Sequence, residues 1–120
     1  MLVDLKTILA DTREKHYAVG LFNCVTLEMT KGILAAAEEL PPPALTGPAE
    51  SLLPGASLAE YADMMLGMAR RAGVPVALHF DHGFTPELVE EAIRLGFSSV
   101  MYDCSTLSYD MNVKEVAQMV

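Results

Sequence analysis

Polar and apolar positions along the chain fall into one arrangement that recurs without any repeat of sequence. A short apolar run, "AVGLFNC" (18 to 24), leads through Thr26 into "TLEMTKGILAAAEEL", where Met29, Ile33, Ala36, Ala37 and Leu40 share one helical face. This predicts a strand followed by a helix. The proline-rich "LPPPALTGPAESLLPGAS" holds a second short strand at "PALTG" (43 to 47). Ser57 and Glu60 then form a capping box for a helix that turns Leu58, Tyr61, Ala62, Met65 and Ala69 one way and stops at Gly73. "PVALHF" pairs with "TPELVEEAIRLG", in which Thr85 is the N-cap, Pro86 sits at the first helical position and Gly96 closes the last turn. A fourth unit joins "SSVMYD" to a helix starting near Asn112, with Val113, Val116, Ala117 and Val120 as its inner face. An N-terminal helix, "LKTILADTREKH", precedes the first strand and covers one end of the sheet, with His16 a surface residue at its tail.

Strands alternating with helices of this length imply crossover connections and a parallel sheet covered by helices, which accounts for the near-continuous apolar strands. The fold class is α/β, and residues 1–120 read as one domain, whole or partial. A hydrophobic content of 52% argues against disorder. No apolar run approaches the roughly 18 residues of a membrane span. The opening "MLVDLKTILADTREKH" lacks the basic-then-apolar layout of a secretory signal, so a cytoplasmic protein is expected. Cys24 and Cys104 accordingly read as reduced, small core residues. A formal charge of −8 disfavours nucleic acid and anionic membrane as partners, so a phosphorylated ligand requires a local anion site. Lys6, Lys15, Lys31 and Lys114 fall on polar helix faces or near helix ends, as solvated charges rather than nucleophiles.

In parallel α/β sheets, function gathers at the C-terminal ends of the strands, where the loops are free to carry it. Asn23 and Cys24 end the first strand, Glu50 follows the second, Asp81 and His82 end the third, and Asp103 and Cys104 end the fourth. All of them belong to one rim. Taken alone, Asp81-His82-Gly83 reads either as a turn in which Asp81 bonds its own backbone or as part of a metal site. Asp103, ending the next strand, offers an oxygen donor to a cation near His82. His79 shares the strand face of Asp81 and reads as a packed or outer-sphere histidine in preference to a ligand.

"VPVALHFDHG" followed by "AIRLGFSSVMYDCS" resembles the signature region of the class II, zinc-dependent ketose-bisphosphate aldolases, and "AVGLFNCVTLEMTKGILAAAEEL" is similar to that family's opening strand and helix. The resemblance implies a (β/α)8 barrel of which this chain supplies the N-terminal half, about four βα units and an N-terminal helix. It implies reversible aldol cleavage of fructose or tagatose 1,6-bisphosphate, with zinc as Lewis acid and no lysine Schiff base. Asp81 would be the catalytic acid, His82 a zinc ligand, and Asp103 a residue of the same site able to hold a second metal position. Asn23 would contribute to the substrate pocket. Many members carry a serine beside the substrate phosphate where this chain has Ala49-Glu50 before Ser51, which makes Glu50 and Ser51 the candidates on the substrate side. Cys104 stands where glycine is usual.

The family's two further zinc histidines and its phosphate-binding glycine loops come from the second half of the barrel. The first and fourth strands should therefore be open edges, with Val76 and Val100 facing the barrel interior. Such an isolated half should lack activity until completed by the other half or by oligomer formation. The contrasting expectation is a non-catalytic α/β binding or assembly module, with Asp81 and Asp103 as rim acids around magnesium or a phosphoacceptor and His82 incidental.

Overall fold

A computed structural model describes residues 1–40, 43–53 and 55–120; the prolines at 41, 42 and 54 of the proline-rich stretch lie outside the described residues. Four strands form one sheet: β1 (Leu21–Asn23), β2 (Ala44–Gly47), β3 (Val76–Gly83) and β4 (Ser99–Tyr102). Their spatial order is their sequence order, β1-β2-β3-β4, and every pairing is parallel. Helices α3 (Leu27–Glu39), α4 (Leu58–Arg71) and α5 (Pro86–Leu95) connect successive strands, and α6 (Tyr109–Met119) follows β4. This is the α/β arrangement of half a (β/α)8 barrel.

Local signals place most helix ends. The Thr26 side chain accepts from Met29 N at the start of α3. Ser57 and Glu60 complete the capping box of α4, and Gly96 closes α5 in the left-handed region at φ 101. Thr85 does precede α5, but its side chain makes no capping bond. The N-terminal helix is two short pieces, α1 (Leu5–Leu9) and α2 (Thr12–Lys15), and His16 ends the second, exposed and left-handed. Asp4 caps α1, and Ile8 packs with Leu45 and Ala77, so this segment does cover part of the sheet.

The main core lies between the sheet and helices α4 and α5. Leu58, Tyr61, Ala62, Met65 and Leu66 meet Leu78, Phe80, Val89, Ala92 and Phe97. Each large side chain buried there contributes about 1.5–3 kcal/mol relative to exposure. Val76, expected toward the interior, instead packs with Leu34 and Ala69 beneath the helices, and Val100, paired with Phe80, joins the same helix-side core. The alternation of β3 therefore sends Val76, Leu78 and Phe80 toward the helices, and Ala77, His79 and Asp81 to the opposite face. A parallel sheet buries apolar residues on both faces, so apolar character alone does not fix the side.

The inner faces of the two outermost helices also differ from expectation. In α3 the buried residues are Thr30, Leu34 and Ala37, whereas Met29 and Leu40 are exposed. In α6, which starts at Tyr109 and not at Asn112, Val113 is exposed, as is Val120 just past the helix end, while Val116 and Met119 are half-buried. Both helices flank sheet edges, and the apolar residues there lie over an uncovered side. Leu21 and Phe22 on β1 and Met101 on β4 are exposed for the same reason. Among the described residues no helix is long and apolar enough to cross a membrane.

Candidate functional site

The rim residues meet at the end of β3, where the strand leaves regular pairing. Phe80 pairs with Val100 and Gly83 with Tyr102, so Asp81 and His82 on β3 face the single residue Met101 on β4. This is a bulge, and it bends the strand where the polar residues begin. His82 takes up the slack at φ 47. A left-handed non-glycine residue costs about 1–3 kcal/mol and persists only where its surroundings hold it. Gly83 then passes so close to the core that a Cβ would stand 2.5 Å from Val89 Cγ2 and 2.9 Å from Phe80 Cε1. The glycine of the Asp-His-Gly triplet is a packing requirement.

The bulge sends the two polar side chains different ways. Asp81 is buried, its backbone N–H donating to Pro48 O at 3.0 Å and its Oδ2 accepting from Asn23 Nδ2 at 2.9 Å. His82 is exposed, and its Nδ1 lies 2.5 Å from Asp103 Oδ2. That hydrogen bond raises the imidazole pKa above its ordinary value, with the Asp81 charge acting in the same direction. It also holds the Asp103 carboxyl at about 2, helped by the Ser105 N–H donating to Oδ1. Both oxygens of Asp103 are thus engaged. With Nδ1 occupied, the nitrogen left to His82 is Nε2, 3.9 Å from Asp81 Oδ1.

Asn23, Asp81, His82 and Asp103 are therefore brought together as the strand-end rule requires. Glu50 joins them indirectly, through hydrogen bonds to the backbone of residues 84 and 85. Ser51 is exposed on the same 3-10 turn, Glu50–Leu52, and among the described residues no hydrogen bond ties it to Asp81 or His82. Cys24 lies buried below Asn23, its Sγ 3.1 Å from Thr46 Oγ1, and Cys104 is buried as well. His79 is buried, with Nδ1 2.7 Å from Ser99 Oγ and Nε2 3.6 Å from Asp81 Oδ1. Burial lowers its pKa, against the pull of Asp81. A packed histidine behind the acid was expected.

Two neighbours escaped sequence reasoning. Ser99 reaches His79 because the two are register partners in the β3–β4 pair. The Phe84 ring stacks beside the His82 imidazole, centroids 6.3 Å apart and 26° from parallel.

A metal is tested by the donors present. A histidine whose Nδ1 is held by a carboxylate and whose other nitrogen is free is the usual form of a zinc-ligating imidazole. His82 with Asp103 fits that form. Among the described residues no three His, Cys, Asp or Glu side chains are grouped as a metal site, so His82 would be one ligand of a larger set.

An ordered acid, an oriented imidazole and an amide at the C-terminal ends of parallel strands define a barrel-type α/β protein with its site on the strand rim. The model of the class II fructose-bisphosphate aldolases matches residues 3–120, and the chain belongs to that family. It is 40% identical over 120 residues to the fructose-bisphosphate aldolase of Thermus caldophilus, covering 100% of this chain and 39% of that protein. It is 39% identical over 121 residues to the 6-phospho-5-dehydro-2-deoxy-D-gluconate aldolase of Bacillus licheniformis, covering 98% and 41%. The crystal structure of the YdjI aldolase from Escherichia coli K12 aligns with a TM-score of 0.95 at 33% identity, over 100% of this chain and 46% of that one. The chain thus spans about two-fifths of the length of the curated relatives it matches.

Proposed function

We propose that this chain carries the acid-base residue and one metal ligand of a zinc-dependent ketose-phosphate aldolase that cleaves fructose or tagatose 1,6-bisphosphate. The observation that carries the reading is the split at the β3 bulge. One residue, Asp81, is a buried carboxylate aimed by Asn23, and the next, His82, is an exposed imidazole aimed by Asp103. Zinc bound at His82 Nε2, with ligands from outside these residues, would supply Lewis acidity toward the substrate carbonyl. Asp81 takes the proton of the C4 hydroxyl in cleavage. The C4–O pair becomes the aldehyde carbonyl as the C3–C4 bond breaks, and that bonding pair moves toward the C2 carbonyl. In condensation Asp81 returns the proton. The Asn23 amide keeps the acid oriented, and Asp103 keeps Nδ1 of His82 occupied so that Nε2 is the coordinating nitrogen. The two free, buried thiols suit a reducing compartment such as the cytoplasm.

A second reading, an assembly module without catalysis of its own, is favoured by the exposed Leu21, Phe22 and Met101 at the two sheet edges. On either reading these edges are covered by further βα units or by another copy. The test uses the protein at its native length. Asp81→Ala should lower kcat for fructose 1,6-bisphosphate by about 10²-fold or more with zinc retained, since acid-base groups contribute about 10²–10⁴-fold. His82→Ala should lose zinc and activity together. Wild-type zinc content and turnover in His82→Ala would refute the reading, and loss of zinc in Asp81→Ala would make Asp81 a ligand or an orienter.

A further inference from the structure

The β3–α5 turn that carries His82 is held from a second strand. β2 does not end its contact with β3 at Gly47: Pro48 O accepts from Asp81 N at 3.0 Å, and Ala49 forms an isolated parallel bridge with Asp81. Glu50 follows. Its Oε2 accepts from Phe84 N at 2.6 Å and from Thr85 N at 3.3 Å. These amides belong to the two residues that lead into α5 at Pro86, where the Thr85 side chain makes no capping bond. The carboxylate thus ties the lead-in to α5 from a neighbouring loop, and charge-assisted bonds of this kind are stronger than neutral ones.

The clamp closes two residues beyond His82. Asp103 N donates to Gly83 O at 2.8 Å from the β4 side, so the turn is pinned from both flanking strands. Between these pins His82 sits in the left-handed region, and Phe84, whose amide Glu50 holds, places its ring against the imidazole. Without the carboxylate, Phe84 N would turn to solvent. The ring beside His82 would follow, and the left-handed residue would lose one of its restraints.

We propose that Glu50 is a positioning residue for His82, acting through the backbone of Phe84 and Thr85, and not a group that touches substrate. The inference rests on the reading of His82 as a metal ligand for its consequence, but not for its geometry. In the native-length protein, compare Glu50→Ala, Glu50→Gln and Ser57→Ala. Ser57 caps α4 and makes no contact in the rim, so its variant controls for the loss of a helix cap.

Two measurements separate the clamp from the function. In metal-free protein, the His82 imidazole NMR signals should shift and broaden in Glu50→Ala and match wild type in Glu50→Gln, which keeps an acceptor oxygen, and in Ser57→Ala. In chelator competition, Glu50→Ala should bind zinc about 10–100-fold more weakly, the range for loss of an outer-sphere partner, with activity recovering at saturating zinc. Unchanged His82 signals in Glu50→Ala would overturn the proposal whatever the protein binds. Equal losses in Glu50→Ala and Ser57→Ala would reduce Glu50 to a stabiliser of a helix start and overturn it too, as would a Glu50→Gln variant that behaves like Glu50→Ala. If wild type and His82→Ala bind zinc alike while the signals move as expected, the clamp stands and the metal assignment falls.

Discussion

Gly83→Ala tests whether the bulge is held by packing. The added methyl would sit 2.5 Å from Val89 Cγ2, 2.9 Å from Phe80 Cε1 and 3.1 Å from Met101 O, all inside the roughly 3.5–4.0 Å at which carbon contacts become attractive. Gly83 is not among the positive-φ glycines of the described residues, so the backbone itself accepts alanine. Removing glycine from such a position stabilises by about 0.4–1 kcal/mol through the unfolded chain, whereas overpacking a core costs about 1–3 kcal/mol. The net expectation is a loss of about 1–2 kcal/mol. Val89→Ala removes the worst neighbour, and by itself loses about 1.6 kcal/mol for two buried methyl groups. In the double variant the new methyl occupies part of the vacated space, so the two losses should fall short of their sum by about 1 kcal/mol. Rescue remains partial, because the Phe80 ring and the Met101 carbonyl stay in place. Urea denaturation of the four proteins measures the cycle. A Gly83→Ala variant within about 0.5 kcal/mol of wild type, or strict additivity, would refute a steric origin for the glycine.

Two further outcomes follow from local geometry. Ser57→Ala removes the acceptor for Glu60 N and the hydroxyl that donates to Glu60 Oε2, and should lower stability by about 1 kcal/mol in the same denaturation assay. For His79, burial lowers the folded pKa, so the unfolded chain takes up a proton first as pH falls. Its contribution is then constant above about pH 6.5 and declines below it. Wild type should lose stability relative to His79→Gln between pH 7.5 and 5, and a difference that is flat or of opposite sign would contradict a buried neutral imidazole.

What was legible in the sequence is what local chemistry fixes. The capping box at Ser57 and Glu60, the Pro86 start and Gly96 stop of α5, and the apolar run of β3 depend on residues within a turn of one another, and each stands as read. The α3 and α6 faces were misread because periodicity marks which residues are apolar, not which neighbour covers them. Met29, Leu40 and Val113 belong to sides that the sheet edges leave open. Val76 failed for a related reason, since a strand buried on both faces carries no alternation to say which side meets the helices.

At the site, the division follows the difference between placing a residue and aiming it. Strand ends placed Asn23, Asp81, His82 and Asp103 on one rim, because parallel strands in sequence order must end together. Nothing in the spacing could distinguish Asp103 as a metal ligand from Asp103 as the partner of His82 Nδ1, since either role needs only a carboxylate on the adjacent strand. The observed contact arises from the bulge, which moves His82 one step out of register and lays its ring against Asp103. Glu50 is the same case at longer range. Its role depends on β2 continuing alongside β3 for three residues past Gly47, a matter of register between strands more than thirty residues apart in sequence, and no local pattern of acids and glycines records it.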